Sequence, residues 1–274
     1  MVPIRRSPQG FPMAPSQEEW DRLTEAERAE VLEALPGEVT YEEMAPPEGD
    51  RHLRAKMRAL DALRGWFAKQ KRPIYLAAEL PTYYPAEPRF APDLMAVFDV
   101  EDRDRDSWIV SKEGKGLDWV MEVHVGGDRK KDAEANVARY ARLGIAEYFL
   151  YDRARNRLMA YRLSPGAKTY STIVPQQGRY ASSVLGLDVE VEKDRLRFFA
   201  GTAMLLESEE LIIRLEQMLE TVEQRVEEEA RLRQEEARLR QEEARLRQEE
   251  ARLRQETESE NARLRAEIER LTKR

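Results

Sequence analysis

The final quarter of the chain repeats with a period of seven residues. Residues 207–274 contain no glycine and no proline, and they are rich in the strong helix formers Glu, Arg, Ala, Leu and Gln. The segment Ala-Arg-Leu-Arg-Gln-Glu-Glu starts at Ala230, Ala237 and Ala244, and begins again at Ala251. A heptad period without helix breakers is typical of a coiled coil. We therefore expect a C-terminal α-helical coiled coil over residues 205–274.

The apolar residues of this tail are unevenly distributed. A regular seam with steps of three and four residues comes first, formed by Ile212, Leu215, Leu219, Val222 and Val226. Continuing that register places Glu229 and Arg233 in the seam. We expect residues 207–228 to form a homo-oligomer through this seam, and a short seam returns at Leu264, Ile268 and Leu271. Residues 230–256 fit either a charge-laced helix with i,i+4 pairs or a weak coiled coil. The alternative for the whole tail is a solvated spacer helix without a partner.

Composition excludes several classes of protein. The chain has 274 residues, no cysteine, two histidines and a net charge of −7. Disulfides, thiolate metal sites, a cysteine nucleophile and a three-histidine zinc centre are therefore excluded. No stretch approaches the roughly 18 apolar residues of a membrane helix, and no apolar segment follows the N-terminus as in a signal peptide. We expect a cytoplasmic protein without a membrane partner, and the negative charge does not predict non-specific nucleic-acid binding.

The region before the tail has the pattern of an α/β domain. Residues 1–15 contain four prolines and are expected to be loose, and capping boxes at Ser16 and Thr24 open two short helices. A helical apolar spacing runs from His52 to Lys69, and a second helix spans about Lys131–Leu143, with Gly144 as its left-handed cap. Strands are predicted at 73–80, 92–99, 117–125, 147–152 and 158–163. The order α-β-β-β-α-β-β favours a mixed sheet flanked by helices, in a domain spanning 16–204. Residues 164–200 are expected to add strands that pack on the core.

Two acidic residues lie at the start of one predicted strand and inside another. Asp93 begins one strand, and Glu122 lies inside another, where it shares a face with His124, opposite Met121 and Val123. One interpretation is a metal site, because carboxylate oxygens are the ligands that Mg²⁺ or Mn²⁺ prefers. His124, Lys130 or Lys131 would then contact the water or the scissile phosphate. The alternative is that the acids face solvent or pair with Arg129 or Arg139. His52 could approach this site, although a histidine at a helix end is more often at the surface, and Tyr140 is expected to face the core.

These residues resemble a known family. Pro92-Asp93 followed by Glu122-Val123-His124 resembles the signature of the restriction-endonuclease-like PD-(D/E)xK superfamily. Over residues 16–200 the chain is similar to the Uma-type restriction endonucleases, whose pattern is E-V-x-S, D-x-x-x-K-x-x-x-Y and G-V-x-E-Y-W-x-x-D. The matching positions are Glu122, Val123, Asp132, Tyr140, Gly144, Glu147, Tyr148 and Asp152. The resemblance implies a restriction-endonuclease-like fold and Mg²⁺-dependent hydrolysis of phosphodiester bonds in DNA.

The chain departs from the family pattern at two positions. Asn136 stands where the family has its helical lysine, and Val125 where it has serine, while His124 fills the lysine slot of the superfamily motif. A relocated lysine would preserve a nuclease with Asp93 and Glu122 as metal ligands, a backbone carbonyl near Val123 as a third ligand, and Lys130, Lys131 or His124 as the catalytic cation. A lost lysine would leave a degenerate nucleic-acid-binding or oligomeric scaffold protein. A dimer would place two active sites together, which suits cleavage of both strands.

Overall fold

The computed structural model describes residues 4–8, 10–37, 49–125 and 130–272, without the side chains at 130–133 and 270–272. Its helices are α1 (Gln17–Arg22), α2 (Glu25–Glu33), α3 (Gly49–Phe67), α4 (Val110–Glu113), α5 (Lys130–Arg142) and α6 (Ser208–Thr272). Its strands are β1 (Ile74–Ala77), β2 (Thr82–Tyr83), β3 (Leu94–Phe98), β4 (Trp108–Ile109), β5 (Trp119–His124), β6 (Glu147–Asp152), β7 (Arg157–Arg162), β8 (Ser171–Thr172), β9 (Tyr180–Ser182), β10 (Leu187–Glu192), β11 (Arg195–Ala200) and β12 (Ala203–Met204).

The main sheet is mixed, as predicted. Its strand order is β1-β3-β5-β6-β7-β8. Only β5 and β6 are parallel within it, with Trp119 opposite Glu147 and His124 opposite Asp152. A parallel pair needs a crossover connection, and α5 lies in the segment between these strands. The predicted mixed sheet flanked by helices is therefore confirmed.

A second, antiparallel sheet accounts for the extra strands expected after residue 163. Its order is β12-β11-β10-β9, while β8 joins the main sheet. The predictions omitted the parallel pair β2–β4, in which Thr82 lies opposite Trp108. Each strand of that pair has two residues, which is too short for an alternating pattern to be recognised.

Hydrophobic clusters cover both faces of the main sheet. One contains Leu63 of α3, Met121 of β5 and Phe198 of β11. The other contains Val120 of β5 and Tyr140 of α5. Because both faces are covered, all five residues of β3 are buried, which explains its continuous apolar run. Adjacent residues of β5 consequently face different clusters, and this decides the direction in which a polar residue on β5 points.

The helix ends follow the predicted local signals. Ser16 and Thr24 form complete capping boxes with Glu19 and Glu27. Gly144 has a φ of +77°, in the left-handed region, two residues after α5 ends at Arg142, as expected for its cap.

Contacts divide the chain into two units, Met1–Ser208 and Glu209–Arg274. The second unit is continuous helix within the described residues, which agrees with the helical prediction for the tail. The coiled coil itself and the domain bounds at 15/16 and 204/205 stay predictions.

Candidate active site

Strand pairing brings Asp93 and Glu122 together. Asp93 directly precedes β3, and Glu122 lies within β5, and the two strands pair antiparallel with Leu94 opposite Met121. The Asp93 amide N lies 3.4 Å from Glu122 Oε2. Asp93 Oδ2 accepts a hydrogen bond of 2.7 Å from the Val123 N–H. The two carboxyl groups predicted as metal ligands are therefore neighbours at one place on the sheet.

Glu122 lies on the side of β5 that faces α5. The Tyr140 hydroxyl of α5 donates a hydrogen bond to Glu122 Oε1, while Met121 and Val123 pack in the cluster containing α3. This alternation along β5 is the one predicted. Burial and then the negative charge of Asp93 raise the pKa of Glu122 to about 8, and the Tyr140 hydrogen bond opposes that rise. The pair thus holds one carboxyl group that ionises with difficulty beside another that is charged.

Helix α3 supplies two nitrogen bases to Asp93. His52 Nε2 lies 3.0 Å from Asp93 Oδ1, and Lys56 Nζ lies 3.4 Å from the same oxygen. Residues four apart project from one face of a helix, so both side chains reach the same carboxylate. The Lys56 residue is only 4% exposed, and its ammonium group also contacts Glu79. A lysine buried to this degree is rare unless it is paired.

The surroundings of Asp93 favour its charged form. Burial by itself raises the pKa of this carboxyl group. Hydrogen bonds from His52 and the Val123 N–H, together with the charges of His52 and Lys56, outweigh burial and hold the pKa below its usual value. Asp93 therefore stays ionised, as a metal ligand must be.

Glu79 extends the group of potential ligands. Its φ of +54° is unusual for a residue other than glycine, and its side chain is 63% exposed. Potential ligand atoms of His52, Glu79 and Asp93 all lie within 4.8 Å of one another. Asp93 thus belongs to both possible ligand groups, one with Glu122 and one with His52 and Glu79.

The other predicted site residues are placed differently. His124 ends β5 opposite Asp152 of β6. Burial raises the pKa of Asp152, but the hydrogen bonds and charge of Arg155, followed by the charge of His124, outweigh burial and lower that pKa. Lys130 and Lys131 begin α5, but their side chains lie outside the described residues, as does Arg129. Arg139 pairs with Glu87 at 2.8 Å, so the alternative pairing of this arginine with the acids is wrong.

Lys56 was not among the predicted site residues, and His52, for which the sequence left both the site and the surface open, lies at the site. Leu53 and Met57 belong to the helical apolar spacing predicted between His52 and Lys69, yet both are more than half exposed. Lys56 is buried in the first half of the helix and lies on the same face as the buried Leu60 and Leu63. A histidine and a lysine four residues apart, with the lysine at helical spacing from a buried leucine, were the available signal. Tyr140 is buried, as expected, and in addition binds Glu122.

Comparisons with known proteins give the family. None of the curated proteins compared matches the chain. A solved structure described as "a putative nuclease belonging to DUF820", from Anabaena variabilis ATCC 29413, is similar to this chain with 14% identity and a TM-score of 0.39, covering 49% of this chain and 75% of that one. The Uma2 family, described as "Putative restriction endonuclease", matches residues 17–196. The chain therefore belongs to the Uma2 family.

Proposed function

We propose that the chain is a metal-dependent endonuclease that hydrolyses phosphodiester bonds in DNA. The observation that carries this proposal is the Asp93–Glu122 pair on adjacent strands, with the buried Lys56 ammonium 3.4 Å from Asp93. Paired carboxylates beside a cation are what phosphodiester hydrolysis by a metal-dependent enzyme requires. Membership of the Uma2 family supports the same reaction class.

The donor set fits Mg²⁺ or Mn²⁺. Asp93 and Glu122 offer hard carboxylate oxygens, and the chain contains no thiolates. The charge of Asp93 contributes to the raised pKa of Glu122, so a divalent cation bound by both groups would relieve their repulsion. Such an ion would polarise a phosphate oxygen and lower the pKa of its bound water.

The protein's own side chains would hold the site and balance its charge. The Val123 N–H and the Tyr140 hydroxyl orient the two carboxyl groups. His52 positions Asp93 and favours its ionised form. The Lys56 ammonium would offset the negative charge that develops on the phosphate in the transition state. Lys56 can thus take the part of the lysine that Asn136 replaces, and His124, Lys130 and Lys131 stay candidates for the same part.

The second candidate function is a non-catalytic one. Asn136 occupies the position of the family's helical lysine, which favours a degenerate nucleic-acid-binding or scaffold protein. Under this alternative Lys56 would serve only to neutralise Asp93 and Glu79. The two functions differ in one measurable property, which is cleavage by the purified wild-type chain.

Supercoiled plasmid incubated with the wild-type chain tests the proposed function. We expect conversion to nicked and linear DNA with Mg²⁺ or Mn²⁺, and no conversion with EDTA. If a chain with intact circular dichroism cleaves under neither metal, the nuclease proposal is wrong. If that chain nevertheless raises the fluorescence anisotropy of labelled DNA, the binding alternative is supported.

Lys56→Met is expected to lower the cleavage rate about 10²-fold, because the transition state loses its nearby cation. Lys56→Arg should recover part of that loss. The readout is kcat and KM for a short duplex, with the loss appearing mainly in kcat. Lys112→Met, at an exposed lysine of α4, is the control and should leave both constants unchanged. An unchanged kcat in folded Lys56→Met would remove Lys56 from the mechanism.

The tail is proposed to join copies of the chain. The seam residues Ile212, Leu215, Leu219, Val222 and Val226 are each more than half exposed, which suits burial against a second helix.

No helix in the described ranges is long and apolar enough to cross a membrane. A DNA substrate agrees with the expected cytoplasmic location, which stays a prediction.

A further inference from the structure

The heptad register of α6 continues through its charged middle. Ile212 and Ile268 are separated by 56 residues, a whole number of heptads, so both occupy the same position of the repeat. With Ile212 at position a, Leu215, Val222 and Leu264 fall at position d. The apolar seam at the start of α6 and the one near its end therefore belong to one seam, which a strict seven-residue period keeps on one side of a supercoiled helix.

Between the apolar ends, this seam carries alternating charges. From residue 229 to residue 254 every a position is arginine and every d position is glutamate, and the uncharged Thr257 and Asn261 occupy the next d and a positions. The arginines are Arg233, Arg240, Arg247 and Arg254, and the glutamates are Glu229, Glu236, Glu243 and Glu250. They form ion pairs along the helix, such as Arg233–Glu229 and Arg240–Glu236 at 2.6 Å. The seam is thus apolar at both ends. In the charged part between them, arginine occupies position a and glutamate occupies position d.

This order distinguishes the two ways in which a second copy can pair. In a parallel, in-register pair, a faces a and d faces d, so arginine would face arginine and glutamate would face glutamate. In an antiparallel pair, a faces d, and each arginine faces a glutamate of the other copy. Like charges in contact disfavour a pairing, while complementary charges select it.

We infer that α6 pairs with α6 of a second copy in the antiparallel orientation. The inference rests on the proposed self-association of the tail and adds its geometry. One alignment places Leu215 opposite Ile268, Leu219 opposite Leu264 and Arg240 opposite Glu243. A shift of one heptad that places Leu219 opposite Leu271 and Val222 opposite Ile268 also retains arginine–glutamate layers and apolar contacts at the ends. A shift in the other direction places Val222 opposite Arg254 and Val226 opposite Glu250, and is disfavoured.

The flanking positions fit the same arrangement. Position g carries Leu232, Leu239, Leu246 and Leu253, and position e carries Ala230, Ala237, Ala244 and Ala251. In an antiparallel pair, g faces g and e faces e. Leucine would therefore pack against leucine along one edge of the charged seam, and alanine against alanine along the other. This explains why the repeat carries one leucine and one alanine outside its a and d positions.

The consequence concerns the two nuclease domains. At 1.5 Å per residue, antiparallel helices would hold the two copies of Ile212 on the order of 90 Å apart. The two domains would then join their helices at opposite ends of the pair, so the coiled coil would give no support to the expectation that a dimer places two active sites together.

Spin labels measure the orientation in the full-length chain, which has no native cysteine to interfere. Gln217→Cys and Arg245→Cys both lie at position f, on the helix face away from the seam. In the antiparallel pair, labels at 217 are expected roughly 75–85 Å apart and labels at 245 within about 30 Å. Double electron–electron resonance gives both distances, and sedimentation equilibrium gives the mass.

The outcomes separate the inferences. A dimer with the long distance at 217 and the short one at 245 supports the antiparallel pair. A dimer with short distances at both positions is parallel and overturns the inference, while self-association survives. A monomer overturns both. Plasmid cleavage by the same labelled preparations tests the nuclease proposal separately, since neither substitution lies in the site.

Discussion

Asp93→Asn is expected to reduce metal-dependent cleavage by at least about 10³-fold. The amide keeps the volume of the side chain, and its oxygen can still accept from the Val123 N–H. The substitution removes the negative charge of Asp93, which a divalent ion needs and which Lys56 and His52 neutralise. Initial rates on supercoiled plasmid, with metal affinity measured by isothermal titration calorimetry, check both effects. Glu122→Gln is expected to have a loss of similar size.

The control for this prediction lies at the other end of the same strand. Asp99 follows β3, is exposed and pairs with Arg72, and Asp99→Asn should leave cleavage unchanged. The double variant Asp93→Asn/Glu122→Gln should lose little more than either single variant, because both groups would hold one ion. If the loss of cleavage in the double variant equals the product of the two single-variant losses, the two residues do not share one metal ion. Retained cleavage in either single variant would show that the residue is not a ligand.

Glu147→Ala is expected to lower the free energy of unfolding by about 3 kcal/mol. Glu147 is fully buried, and it accepts hydrogen bonds from Arg162 Nε at 2.8 Å and from the Ser183 N–H at 2.9 Å. The Ser182 and Ser183 hydroxyls also donate to it. Removing the carboxylate leaves these donors, of which Ser182 is itself buried, without their acceptor. Urea denaturation followed by tryptophan fluorescence measures the change.

A half-exposed glutamate in the second sheet, whose ion pair with Arg197 is long, supplies the comparison. Glu192 lies 3.8 Å from Arg197, with half of its side chain exposed, and Glu192→Ala should cost less than about 1 kcal/mol. Equal losses in the two variants would mean that Glu147 acts only as a surface charge. A cost confined to Glu147 would show that this carboxylate joins β6 to the segment around β9. The glutamate of the family pattern would then have a structural role.

The extent of prediction differs between the fold and the site. The strands β1, β3, β5, β6 and β7 follow from apolar runs bounded by turn residues, and α1 and α2 from their capping boxes. The two-residue strands β2 and β4 have no comparable signal. At the site, Asp93 and Glu122 are predicted as metal ligands because carboxylate oxygens suit Mg²⁺ or Mn²⁺ and because their segments resemble the superfamily signature. Lys56 was not predicted because its only signal, the helical spacing from His52 and Leu60, does not by itself distinguish a buried lysine from an exposed one.

Features that depend only on neighbours within one or two helical turns or a single strand follow from the order of the amino acids. These are the strand periods, the helix caps, the alternation that places Glu122 opposite Met121 and Val123, and the unbroken heptad register of α6. Which side chains of distant segments meet depends on the packing of the whole fold. The pairing of β3 with β5 brought Asp93 beside Glu122, and the packing of α3 buried Lys56 against Asp93 while leaving Leu53 exposed. Burial and ion pairing arise between distant segments, and local patterns do not encode them.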